Sequence, residues 1–120
     1  KQDSLGIGFN NIGYVYDFIT KVPVPGLKIV PIDTDSDGRI SQEESFYDSM
    51  DNLIDAIVSG KYPSPPSREL YFVLKGKPAE NKALREFMTW ILTEGQIYVR
   101  EAGYVPLQES ITASELKKLE

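Results

Sequence analysis

Cysteine and histidine are both absent from this chain. Their absence removes the thiolate nucleophile, the usual general base near neutral pH, and the common ligands for zinc, copper and iron. Any metal held here is therefore a hard cation bound through oxygen. A disulfide scaffold is excluded too, although the redox compartment stays undecided. Positive charge is in deficit: 13 Lys and Arg stand against 18 Asp and Glu, for a net charge of −5. The basic residues are scattered, which disfavours nucleic acid and anionic membrane as partners, because both require clustered Lys and Arg. No apolar run approaches the roughly 18 residues of a membrane helix, so a soluble domain is expected. No signal-peptide pattern is present. Lys1-Gln2-Asp3-Ser4 lack an initiator Met and lead straight into an apolar segment, as in a chain cut from a longer precursor or a designed sequence. Serines occur without a Ser-His or Gly-x-Ser-x-Gly arrangement, so the expectation is not an enzyme. No internal repeat or low-complexity tract is visible.

What is present fits one globular domain over residues 1–120, with 41% apolar and 26% charged residues. Its core is expected to be modest, since so short a chain buries only about two-thirds of its unfolded surface. Leu5-Gly6-Ile7-Gly8-Phe9 suits a Gly-punctuated strand, and Asn10-Asn11-Ile12-Gly13 a turn. Tyr14-Val15-Tyr16-Asp17-Phe18-Ile19 fits a second strand or a short helix, and periodicity does not separate the two. Val22-Pro23-Val24-Pro25-Gly26 reads as a rigid turn, and Leu27-Lys28-Ile29-Val30-Pro31-Ile32 as a strand. Phe46, Tyr47, Met50, Leu53, Ile54, Ile57 and Val58 recur at helical spacing, predicting a helix over about 42–59 that Gly60 stops. A Pro-rich connector follows. Leu70-Tyr71-Phe72-Val73-Leu74 then reads as a central strand covered on both faces, which makes Tyr71 and Phe72 core residues. Leu84, Phe87, Met88, Ile91 and Leu92 predict a further helix from about 81, with Trp90 in the core, Gly95 weakening it and Gly103 ending it. Thr112 and Glu115 have capping-box spacing for a last short helix.

The chemistry-bearing segment is residues 33–44, Asp-Thr-Asp-Ser-Asp-Gly-Arg-Ile-Ser-Gln-Glu-Glu. A calcium ion takes about 6 to 8 oxygen ligands, and an EF-hand loop of about 12 residues presents them from positions 1, 3, 5, 7, 9 and 12. Those positions are Asp33, Asp35, Asp37, the backbone carbonyl of Arg39, Ser41 directly or through water, and Glu44 as bidentate closer. Gly38 sits where the loop must turn sharply. Ile40 is expected to point away from the ion into the core. The competing reading is an acidic surface turn capping the helix, since Asp, Ser and Gly also build turns. The apolar eighth position and the closing Glu44 favour calcium, as does the repulsion among four crowded carboxylates that a cation relieves. Sensors pair two hands and carry helices on both sides of each loop. A single loop between a strand and a helix predicts a structural staple instead.

Three stretches carry a family resemblance. Gly6-Ile7-Gly8-Phe9-Asn10-Asn11-Ile12-Gly13-Tyr14-Val15 is the first, and Tyr62-Pro63 leading through Arg68 to Leu70-Tyr71-Phe72-Val73 the second. The third is Phe87-Met88-Thr89-Trp90-Ile91-Leu92-Thr93-Glu94-Gly95-Gln96 with Ala102-Gly103-Tyr104-Val105-Pro106-Leu107. In order and spacing they resemble the C-terminal part of phosphate ABC-transporter substrate-binding proteins, over most of the chain. The resemblance implies an α/β fold, part of a type 2 periplasmic-binding-protein lobe with central strands covered by helices and a strand-loop-helix calcium site. It further implies inorganic phosphate or a similar oxyanion as ligand of the full-length protein, a membrane permease as partner, and a periplasmic or cell-surface lipoprotein location. That family's anion-gripping motifs lie upstream of the matched region, so no anion-binding residue is assigned here. Arg68 and Arg85 are expected to be solvated or helix-pairing.

The first functional expectation is thus the C-terminal region of a phosphate-type solute-binding protein carrying one structural calcium. The alternative is a freestanding calcium-binding interaction module without a small-molecule ligand. A strand left with an open edge also invites self-association.

Overall fold

A computed structural model describes residues 6–120. Lys1 to Ser4 and Leu5, where the first expected strand begins, lie outside the described residues. The chain divides into two compact units, Lys1–Ser67 and Arg68–Glu120. The elements are helical: α1 (Ile12–Val15), α2 (Met50–Val58), α3 (Lys82–Leu92), α4 (Gln96–Glu101) and α5 (Glu109–Lys117), with 3₁₀ turns at Gln42–Glu44 and Pro78–Glu80.

This corrects the α/β expectation and the periplasmic-binding-protein-like lobe built on it. Among the described residues there is no sheet, only one antiparallel bridge between Tyr16 and Pro23. None of the expected strands at 6–9, 27–32 and 70–74 forms. The physical reason is that strand propensity measures fit to a paired, half-buried surface, and these runs have no neighbour to pair with. Tyr71 and Phe72, expected as covered core, are accordingly exposed. The open choice at 14–19 resolves into the end of α1 followed by a turn. There the Asp17 carboxylate accepts the amides of Ile19 (2.9 Å) and Thr20 (2.8 Å) and the Thr20 hydroxyl (3.0 Å).

In the first unit the core is Tyr16, Met50, Leu53, Ile54 and Ala56, with Met50 and Ile54 fully buried. Helix α2 supplies four of these from one face. It begins at Met50, not near 42 as its apolar spacing predicts. Ser49 intercepts the helix by accepting the Asn52 amide at 3.2 Å, the N-cap role in which a hydroxyl outcompetes further helix. Phe46 and Tyr47, read as part of the helical stripe, instead stack at 4.6 Å and meet Tyr62 edge-on at 6.1 and 6.4 Å. The C-terminus of α2 is as expected, with Gly60 at φ 74° beyond Ser59.

In the second unit Met88, Leu92 and Leu119 form the core, with Leu74, Leu84, Ile91 and Leu116 packed against it. Asn81 caps α3 by accepting the Leu84 amide at 3.1 Å. Gly95 does more than weaken the predicted helix. A Cβ there would lie 3.0 Å from the Trp90 carbonyl oxygen, and the tight turn it permits separates α3 from α4. Trp90 is half-exposed, not core, and stacks on Tyr98 at 6.2 Å. Helix α5 starts at Glu109, so Thr112 lies inside it and caps nothing.

Candidate metal centre

The acidic loop is organised by its own carboxylates. Asp33 Oδ1 accepts the amides of Ser36 (2.7 Å) and Asp37 (3.3 Å), and its Oδ2 accepts that of Gly38 (2.8 Å). Asp35 Oδ1 accepts the Asp37 amide at 3.1 Å, and Asp37 Oδ1 the Arg39 amide at 2.7 Å. Short acidic side chains that bond amides two to five residues ahead wind the chain inward. The winding requires left-handed backbone at Ser36 (φ 63°) and Gly38 (φ 81°). As a result, carboxylate oxygens of Asp33, Asp35 and Asp37 lie within 4.8 Å of one another. Among the described residues no other group of three such side chains is close enough to share an ion.

The structure therefore brings together three of the six expected ligand positions. Arg39 adjoins them through its amide on Asp37. Ser41 and Glu44 are arranged differently from the expectation of two independent ligands. Glu44 is buried and forms a capping box with Ser41, its Oε2 accepting the Ser41 amide (2.9 Å) and hydroxyl (3.0 Å). Its Oε1 accepts the Thr34 amide (2.6 Å) and hydroxyl (2.7 Å). Each oxygen keeps further acceptor capacity, because a carboxylate offers about four lone-pair sites. Ile40 is 42% exposed, which corrects its expected burial.

Electrostatics separates the two kinds of carboxylate. The Thr34 hydroxyl, then the amides of Ser41 and Thr34, hold Glu44 down at about 2, so it stays ionised and clasps both ends of the loop. At Asp35 the Asp37 amide pulls downward. Desolvation, the Asp37 charge, the Asp33 side chain and the Glu44 charge together outweigh it and raise the group. A carboxyl raised by its acidic neighbours marks a place where positive charge is favourable. The donor set is all oxygen and suits a hard divalent cation such as calcium.

The flanks also differ from a strand-loop-helix arrangement. Residues 27–32 lead in without regular structure, and the chain leaves through the 3₁₀ turn Gln42–Glu44 before the aromatic cluster. Tyr47 straps the two arms together: its hydroxyl oxygen accepts the Ile32 amide at 3.2 Å, and its carbonyl accepts the Tyr16 hydroxyl at 2.9 Å. Burial raises Tyr47 and Tyr16, the latter well above the ordinary phenol range, so both remain neutral. Thr34 and Tyr47 are the residues that sequence reasoning missed. Thr34 occupies a non-ligand position of the loop, and the spacing of Tyr47 matches a helix.

At the other end of the chain, Gln96 ties together the two parts of the third stretch that carries the family resemblance. Its Nε2 donates to the Ile91 carbonyl at 2.8 Å, and its Oε1 accepts the Leu107 amide at 2.9 Å. Compared with known proteins, the chain matches no family model, no curated protein and no solved structure.

Proposed function

We propose that residues 33–44 bind one calcium ion and that the ion staples the two arms of the loop. The observation that supports this most is the convergence of Asp33, Asp35 and Asp37 within 4.8 Å. Asp33, Asp35, Asp37, the Arg39 carbonyl, Ser41 and Glu44 are the intended ligands. The bonds of Tyr47 to Ile32 and Tyr16 favour a staple over a sensor, because the arms are already joined through one aromatic cluster. Binding then adds rigidity with modest motion.

A second reading, that the chain is the C-terminal region of a phosphate-type solute-binding protein, rests on the three resembling stretches. The two Gln96 bonds join the Glu-Gly-Gln and Gly-Tyr-Val-Pro-Leu motifs of its third stretch, while the helical, sheet-free structure of the described residues departs from that family's α/β lobe. Calorimetric titration of the chelator-stripped chain beside Glu44→Ala, followed by phosphate, tests both readings. One calcium bound by the wild type, weakened in the variant, with no heat from phosphate, agrees with both. No heat from calcium reduces the loop to an acidic turn. Phosphate heat contradicts the upstream placement of the anion ligands.

A further inference from the structure

Residues 70–74 are an uncharged run of Leu, Tyr, Phe, Val and Leu. They make no backbone hydrogen bond among the described residues. Leu70, Tyr71, Phe72 and Val73 are 71, 79, 63 and 93% exposed, although each is of a type that favours strands or burial. Bare amides and carbonyls beside large apolar side chains make a template for strand addition. We propose that residues 69–75 are a docking surface for a second copy of this chain, paired antiparallel with Phe72 opposite Phe72.

Charge complementarity selects this occupant and this register. Centred on Phe72, antiparallel pairing sets Leu70 against Leu74 and Tyr71 against Val73, and at both ends it sets Glu69 against Lys75. A parallel in-register pair would instead place Glu69 against Glu69 and Lys75 against Lys75, and like charges directly opposite are destabilising. Shifting the antiparallel pair by one residue puts Lys75 opposite Leu70. Lys75 has no ion-pair partner among the described residues. Glu69 accepts a hydrogen bond from the Tyr71 hydroxyl and keeps acceptor capacity for an ammonium. Strand alternation also sorts the faces: Leu70, Phe72 and Leu74 share one side, and Leu74 already packs against the Met88, Leu92 and Leu119 cluster. Pairing sets a second such row directly beside the first.

Sedimentation velocity on the full 120-residue chain, from micromolar to near-millimolar concentration, tests the proposal in chelator and in calcium alike. The expected result is a monomer–dimer equilibrium in both media, which separates this inference from the calcium reading. Lys75→Glu and Glu69→Lys each create two like-charge pairs across the strands and weaken the dimer about tenfold. Combining them restores opposite charges and returns the dissociation constant to the wild-type value. A chain that stays monomeric overturns the proposal and leaves the run to a different occupant. Association that ignores the single reversals, or that the double swap fails to restore, overturns it as well.

Discussion

Gly38 isolates backbone geometry from ligand chemistry within the loop. It holds φ 81°, and a Cβ added there meets nothing within 4 Å, so replacement by Ala brings no clash. Only the left-handed backbone opposes the change, at roughly 1–2 kcal/mol. Without the ion the chain sheds that strain by relaxing the residue and giving up the 2.8 Å bond from the Gly38 amide to Asp33 Oδ2. Relaxation moves the first ligand, so the strain must be restored when the ion binds. Calcium affinity in Gly38→Ala is then expected to fall by about 5- to 30-fold, a tenfold change corresponding to about 1.4 kcal/mol. Gly26 is a matched control: φ 84°, again nothing within 4 Å, and outside the loop. Gly26→Ala should lower thermal stability while leaving calcium affinity unchanged, and Gly38→Asn should lose less than Gly38→Ala, since Asn tolerates left-handed backbone. Calorimetric titration of the four proteins decides the matter. Equal affinity in Gly38→Ala and wild type, or equal weakening by the Gly26 change, refutes the view that the ion is held by the loop in this conformation.

Acid stability should report Glu44, whose folded value near 2 lies below its ordinary 4.5. Its contribution is complete above about 4.5 and is lost as the pH falls toward 2, so wild type should lose stability over that interval while Glu44→Gln, weaker at neutral pH, changes less. Parallel acid-unfolding curves for the two contradict this. Asp35 is raised by its neighbours, so Asp35→Asn relieves repulsion and should melt higher than wild type in chelator. The same change should weaken calcium by more than about tenfold, because ligand charge sets affinity in such loops; a variant that melts lower in chelator removes the repulsion argument. Ile54 is fully buried in α2, and Ile54→Ala should lower the melting midpoint by on the order of 10 °C, which differential scanning calorimetry measures directly.

The helices were legible where local chemistry acts alone, and less so where it competes. The apolar spacing around Leu53 and Ile54, and that around Met88 and Leu92, identifies two helices that each form the core of one unit. Their ends depend on single residues, and Ser49 through its hydroxyl and Gly95 through its lack of a Cβ each shorten a helix that periodicity alone extends. Strand expectations failed for a non-local reason. The run at 70–74 has the composition of a strand, but a strand exists only beside another. The acidic loop was readable because its bonds span five residues or fewer around Asp33, Asp35 and Asp37. The grip of Thr34 on Glu44 spans ten residues, and that of Tyr47 on Ile32 fifteen. No spacing rule in the sequence announces either.

Thermal melting of the chain in chelator and in excess calcium, with an apolar dye recorded in parallel, tests the staple most directly. An ion bound only by the folded loop adds about 2.7 kcal/mol when calcium stands at about 100 times its dissociation constant. The expected result is a midpoint that rises with calcium while dye binding stays flat. An unmoved midpoint contradicts a calcium site, and a strong rise in dye binding contradicts a staple by revealing an apolar groove opened by the ion.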